Sequence, residues 1–228
     1  MMAVSLGFLG SASRASARSF GACPPAGAHV LLADSRALVY RTYTHPRDAQ
    51  GFEEPEIQTR SCIYGGSIYG GMGSKFIWGE PEAPTELLSG IGNLSLRGFF
   101  LAYLETDSGG AGGRYAREGE EYREQWHVVV RDLRTGRVLR RAPTGIAPDH
   151  PKWVGSGPAQ ALVVDRSGVV AWIVKSATAE GSSQVHVLDG RGSRVLATGP
   201  AIDPYSLALA GSTLYWTQGG KPFSAPLN

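Results

Sequence analysis

Long apolar runs, an excess of charge of one sign and a rich cysteine framework are all missing from this sequence. No stretch approaches the about 20 consecutive apolar residues that a membrane-spanning helix needs, so no segment is expected to cross a bilayer. The 22 Lys and Arg nearly balance the 20 Asp and Glu, and a net charge of +2 leaves no basic field of the size that nucleic-acid binding demands. Cysteine occurs only at Cys23 and Cys62, and two thiols without CxxC or HxxxH spacing nearby fall short of a four-ligand zinc site. The G-x-S-x-G nucleophile elbow, the phosphate-binding P-loop, the G-x-G-x-x-G dinucleotide fingerprint and the H-E-x-x-H metal motif are absent as well. What is abundant is punctuation. With 31 Gly and 14 Pro among 228 residues, long helices are disfavoured, while 42% hydrophobic against 18% charged residues is ample for a packed core. Composition therefore predicts an all-β globular chain.

Self-comparison sharpens that expectation, because a motif that recurs every few tens of residues changes the whole fold assignment. The segment Leu31-Leu32-Ala33-Asp34-Ser35-Arg36-Ala37-Leu38-Val39-Tyr40 returns as Leu94 to Tyr103, as Leu162 to Trp172 with one inserted residue, and as Leu207 to Trp216. Each copy reads as a short apolar strand, a tight turn of Asp, Gly or Ser, and a second apolar strand ending in an aromatic. A second motif follows in two of the repeats: Val130-Arg131-Asp132-Leu133-Arg134-Thr135-Gly136-Arg137-Val138-Leu139 matches Val187 to Leu196, again a hairpin opened by Asp. The pattern predicts four, four, four and three strands in units near 29–80, 91–143, 159–198 and 204–228 of a single domain spanning 18–228. Four antiparallel, four-stranded units built from consecutive hairpins, apolar on both faces, describe a β-propeller-like fold. A strand from residues 19 to 28 is expected to complete the last unit and close the ring, with a disulfide from Cys23 tying it to the third strand of the first unit. A two-sheet sandwich with repeated hairpins, and an incomplete ring that needs a partner chain, are the alternatives.

The N-terminus supplies the compartment. Residues 3 to 12 are mildly apolar and lead to Ala15-Ser16-Ala17, the A-x-A shape of a signal-peptidase site, so residues 1–17 read as a secretory signal. Met1 and Met2 precede the apolar run directly, without the usual basic segment, and the signal reads as truncated. A Ser/Ala/Arg tail without structure is the alternative. Export would place Cys23 and Cys62 where disulfides persist, and the even pair is expected to be bonded. Two unpaired buried thiols follow if the signal is false.

Leu214-Tyr215-Trp216-Thr217, followed by a glycine turn and Ala225-Pro226-Leu227, resembles the blade motif of YWTD-type and TolB-like β-propellers. The run Asp132 to Arg137 is similar to the outer-hairpin turn of bacterial propellers. The residue after Thr217 is Gln218 where the YWTD motif has Asp, so the hydrogen-bonding role of that Asp does not carry over. The chain as a whole, with 18 Arg against 4 Lys, resembles secreted propeller-type proteins of high-GC actinobacteria. That resemblance implies a fold and an extracytoplasmic setting, and no substrate.

In consecutive hairpins the two turns of each unit fall on one face, while the middle and unit-to-unit connections fall on the other. The second face receives the long segments Thr44 to Glu56, Glu80 to Gly90, Thr106 to Arg123 and Thr144 to Pro158. Binding residues concentrate on long loops held by a rigid scaffold, which makes His45, Asp48, Asp107, Asp149, His150 and Trp153 the candidate binding residues. A solvated acidic rim is the competing account. His45 and His150 each precede a proline, an ordinary conformational preference, yet Asp48 and Asp149 beside them would allow an acid–base pair or a bound cation. Nothing in the sequence requires a cofactor. A divalent cation such as calcium is the alternative, with Asp107 to Gly113 as its acid- and glycine-bearing loop, although the spaced acids of a D-x-[DN]-x-[DN]-G loop are missing. His29, His127 and His186 fall in strand patterns and read as structural. Trp78, Trp126, Trp172 and Trp216 read as packing residues, and Trp153 as one able to stack on a sugar. The expected function is a secreted, non-catalytic binding or scaffold module for a protein or glycan ligand. An extracellular hydrolase, lyase or lactonase on a propeller scaffold, using loop carboxylates or histidines with a divalent cation, is the alternative.

Overall fold

The apolar hairpins of the sequence form four separate antiparallel sheets in a computed structural model, which describes residues 23–45, 47, 50–51, 56–64, 68–76, 91–108, 124–145, 158–176 and 181–227. Among these residues there is no helix. The first sheet is β1 (His29–Ala33), β2 (Ala37–Thr44), β3 (Glu56–Ile63) and β4 (Ile68–Phe76). The second is β5 (Ile91–Arg97), β6 (Phe100–Ser108), β7 (Glu124–Asp132) and β8 (Arg137–Pro143), and the third is β9 (Ala161–Val164), β10 (Val170–Lys175), β11 (Ser183–Asp189) and β12 (Gly192–Gly199). The fourth has three strands, β13 (Ala208–Ala210), β14 (Thr213–Gln218) and β15 (Lys221–Pro226). Within each sheet the strands lie in chain order, so every pairing is a hairpin or a meander step.

The turns form where Asp and Gly stand. In the β9–β10 turn the Asp165 carboxylate accepts from the Ser167 amide at 2.7 Å and the Val169 amide at 2.9 Å, and Gly168 supplies a φ of +80° that a side chain would resist. Asp132 and Asp189 repeat the device in the outer hairpins, accepting from the amides of Arg134 and Arg191. Registers break at matching places in successive sheets. The pairs β3–β4, β7–β8 and β11–β12 all carry an irregularity, as do β1–β2 and β5–β6. Such bulges increase local twist.

Three apolar layers join the sheets in sequence. Ala37 and Val39 of the first sheet meet Leu101, Tyr103 and Val129 of the second. Ala102, Leu104, Val128 and Val130 meet Val164, Val170, Trp172 and Val174 of the third. Ala171, Ile173, Val185 and Val187 then meet Leu214, Trp216 and Leu227 at the fourth. The central strands of the second and third sheets are apolar on both faces because each is covered twice, which removes the polar–apolar alternation of a one-sided sheet. Packing also brings the first strands of the units together, β1 against β5, β5 against β9 and β9 against β13. The repeated aromatics of the second strands are all inside, with exposures of 0% for Tyr40, 1% for Tyr103, 0% for Trp172 and 6% for Trp216.

The N-terminal segment departs from expectation. Of the segment 19–28 expected to complete the last unit, residues 19–22 lie outside the described residues, as does the signal expected over 1–17, and residues 23–28 form no strand and do not extend the fourth sheet. Pro24 and Pro25 have no amide hydrogen to give to a ladder, and the Ala28 amide closes a turn on the Pro25 carbonyl at 3.2 Å. Cys23 is instead disulfide-bonded to Cys62 on β3, with Cα atoms 6.2 Å apart. Cys23 and Ala28 thereby cover Leu38, Tyr40 and Cys62, the face of the first sheet turned away from the second. Among the described residues no apolar layer joins the fourth sheet to the first, and no sheet closes on itself. No helix of the described residues is long and apolar enough to cross a membrane.

Candidate functional site

Of the six binding residues expected on the long connections, Asp48, Asp149, His150 and Trp153 lie outside the described residues, as does Trp78. His45 is exposed directly after β2. Asp107 needs a correction. It does not open a loop but lies inside β6, opposite Gln125, because that strand runs on to Ser108 against β7. Residues 109–113 of the run expected as a calcium loop lie outside the described residues. Among the described residues no group of three His, Cys, Asp or Glu converges as metal ligands.

What the structure brings together lies at the opposite end of the sheets. The inner turns of all four units meet there: the Gly98 amide of the second turn donates to Asp34 Oδ2 of the first at 3.2 Å, and the third and fourth turns share a cleft with the end of β5. That cleft, of about 430 Å³, is lined by Arg97, Asp165, Arg166, Ser167, Leu209, Gly211 and Ser212. Its size falls within the about 300–1,000 Å³ usual for small-ligand clefts. Three units therefore contribute to one concavity, and none of them forms it alone.

The electrostatics of this end follow from how its acids are occupied. Both oxygens of Asp165 accept from the Ser167 hydroxyl, at 2.7 and 2.9 Å, in addition to the turn amides. The Ser35 hydroxyl donates to Asp34 at 2.8 Å, and this bond, the Gly98 amide and the nearby Arg97 charge hold the Asp34 carboxyl below the usual carboxylate range. Asp132 is likewise held low, chiefly by the Arg134 guanidinium paired with it at 2.7 Å. Burial pushes Asp189 upward, but Arg194 at 2.5 Å and the Arg191 amide outweigh it and the carboxyl stays low. Asp34, Asp132 and Asp189 thus remain ionised, and the acids of this end accept from neighbouring turn and hairpin donors.

The guanidinium groups divide in two. Arg36 lies over the Phe99 ring at 5.1 Å, and Arg134 lies over both Phe99 and Phe100 at 5.4 and 5.3 Å. Arg97 and Arg166, both exposed in the cleft, donate no hydrogen bond to any acceptor among the described residues. Sequence reasoning passed over this pair because arginine in a turn reads as a solvated surface residue. The available signal was positional: Arg36, Arg97 and Arg166 occur at or beside the same turn of three successive repeats.

His29, His127 and His186 lie in strands β1, β7 and β11. His186 on β11 is buried and stacks on Trp172 of β10, with ring centroids 5.1 Å apart. Its Nε2 lies 3.0 Å from the acceptor oxygen of Gln184, and burial pushes the imidazole pKa down to about 4, so the ring is neutral at pH 7. No protein-family model matches this chain, and no curated protein matches it in sequence.

Proposed function

We propose that this chain is an extracytoplasmic binding or scaffold module of propeller type, with the sheets set around the line of their first strands, as in the TolB-like and YWTD-type repeats that its hairpins resemble. The observation that carries the reading is the convergence of inner turns from successive units on a cleft lined by arginine and serine side chains. Buried second strands, flanked by the first strands, position those turns, so the scaffold is rigid where the concavity forms. The Cys23–Cys62 disulfide supports an oxidising compartment, since such bonds persist outside the cytoplasm. In this reading the long connections at the other end, with His45, Asp48, Asp149, His150 and Trp153, offer a second surface for a protein or glycan. The test has two arms. Protein recovered from the medium of a secreting host is to carry no alkylatable thiol before reduction and, immobilised, to capture members of a glycan and small-metabolite panel in the presence of EDTA without altering them by mass spectrometry. Two free thiols in secreted protein, or turnover of a captured compound, would overturn the reading.

A further inference from the structure

We propose that the cleft between the inner turns is a binding site for a small hydroxylated organic anion, whose carboxylate or phosphate is held by Arg97 and Arg166. The inference rests on the binding-module reading and deepens it by naming the ligand chemistry and the site.

Two guanidinium groups from different sheets, Arg97 closing β5 and Arg166 in the β9–β10 turn, line one concavity of about 430 Å³. No hydrogen bond joins either of them to Asp34 or Asp165, whose oxygens accept from Ser35 and Gly98 and from Ser167 and Val169; Asp165 also lines the cleft, so two guanidinium groups against one carboxylate leave the lining with a net positive charge. A planar guanidinium left with free donors is matched by an oxyanion, which accepts two parallel N–H bonds and restores the pairing lost on leaving water. The remaining lining suits a hydroxylated body. Ser167 gives its proton to Asp165 and keeps lone pairs for a ligand hydroxyl, Ser212 contributes a second hydroxyl, and Leu209 gives an apolar wall. The volume has room for a compound of monosaccharide size, and a net charge of +2 over the chain offers no extended basic stripe for a polyanion. A uronic acid and a sugar phosphate share this chemistry.

The experiment uses the whole chain with three probes: glucuronate, glucose 6-phosphate and neutral glucose. Titration calorimetry is expected to show saturable binding of at least one anion, with glucose weaker by about tenfold or more. Which of the two anions binds more tightly distinguishes carboxylate from phosphate as the preferred headgroup. Arg97→Gln and Arg166→Gln are each expected to weaken the bound anion by about tenfold or more, with melting temperatures within a few degrees of wild type because both side chains are exposed. A measurement on the unmodified chain guards against misfolded variants: the bound anion should protect Arg97 and Arg166 from phenylglyoxal, read by peptide mass, and leave the reactivity of Arg134 and Arg191 unchanged. Equal protection of all four arginines, equal binding of glucose, or unchanged affinity in both variants would overturn the site. If binding is lost instead on changing Asp149, His150 and Trp153 together to Ala, the site is wrong and the binding-module reading stands. If neither these probes nor any member of the wider panel binds, both fall.

Discussion

Trp172→Ala tests the packing of the second sheet on the third at a single side chain. The indole has 0% exposure, fills the layer formed with Ala102, Leu104, Val128 and Val130, and donates its Nε1 hydrogen to the Thr144 carbonyl at 2.5 Å. Large aromatic truncations in cores cost about 3–5 kcal/mol. Two further losses place this one in the upper half of that range: the hydrogen bond to the Thr144 carbonyl, worth about 0.5–1.5 kcal/mol, and the stacking with His186, worth about 0.5–1.5 kcal/mol. Since a domain of ordinary stability has about 5–15 kcal/mol in total, the variant should lose from about a quarter to nearly all of its stability. Trp172→Phe separates the contributions, because it keeps most of the apolar volume and a stacking ring and removes only the N–H donor; its cost should be about 1–2 kcal/mol. Urea unfolding followed by far-ultraviolet dichroism measures both, with equal slopes as the check that the unfolded states are comparable. A cost below about 1 kcal/mol for the alanine variant would show that Trp172 is not the plug between the sheets. Equal costs for Ala and Phe would show that the hydrogen bond, and not the packing, dominates.

Three other outcomes follow from the same structure. His186 has a folded pKa of about 4 against an ordinary 6.5, so its neutral burial stabilises the fold fully above pH 6.5, and that contribution is lost as pH falls toward 4. The loss is of order 3 kcal/mol, and His186→Leu should flatten the urea-midpoint profile across that window; an unchanged profile would refute the burial argument. Reducing the Cys23–Cys62 bond, which closes a separation of 39 residues, should lower stability by about 4 kcal/mol in the chain-entropy account, and a shift in melting temperature of less than a degree or two would contradict it. Gly168→Ala forces a side chain into a φ of +80° and sets its Cβ 3.1 Å from Phe100 of the neighbouring sheet. A cost of about 1–3 kcal/mol is expected, and a neutral result would mean that the β9–β10 turn does not press on Phe100.

Much of the architecture was legible in the chain itself. Strand pairs and turns recur with their side chains, so the repeats Leu31 to Tyr40, Leu94 to Tyr103, Leu162 to Trp172 and Leu207 to Trp216 placed the first two strands of every unit, and the Asp-opened turns at Asp132 and Asp189 placed the outer hairpins. Local chemistry suffices for this, because a hairpin is decided by residues within about ten positions of one another and by alternation that any sheet of its kind would demand. The burial of Tyr40, Tyr103, Trp172 and Trp216 belongs to the same class: repetition of a large aromatic at one register implies a repeated cavity.

Other features were decided only when distant segments met. Within residues 23–28 the paired prolines argue locally against a strand, but that the segment covers the first sheet was decided in three dimensions by the reach of Cys23 to Cys62. The extent of β6 through Asp107 was hidden for a related reason, since a strand continues as long as its partner β7 supplies a ladder, and polar residues at its end do not stop it. The cleft is the furthest from the sequence. Arg97, Arg166 and Ser212 belong to three different turns, and only the side-by-side packing of β5, β9 and β13 makes them neighbours. Sequence determined the repeating unit because short-range hydrogen bonding and alternation are local. Tertiary structure decided the cover, the strand end and the cleft because each depends on which face of one sheet is buried by another.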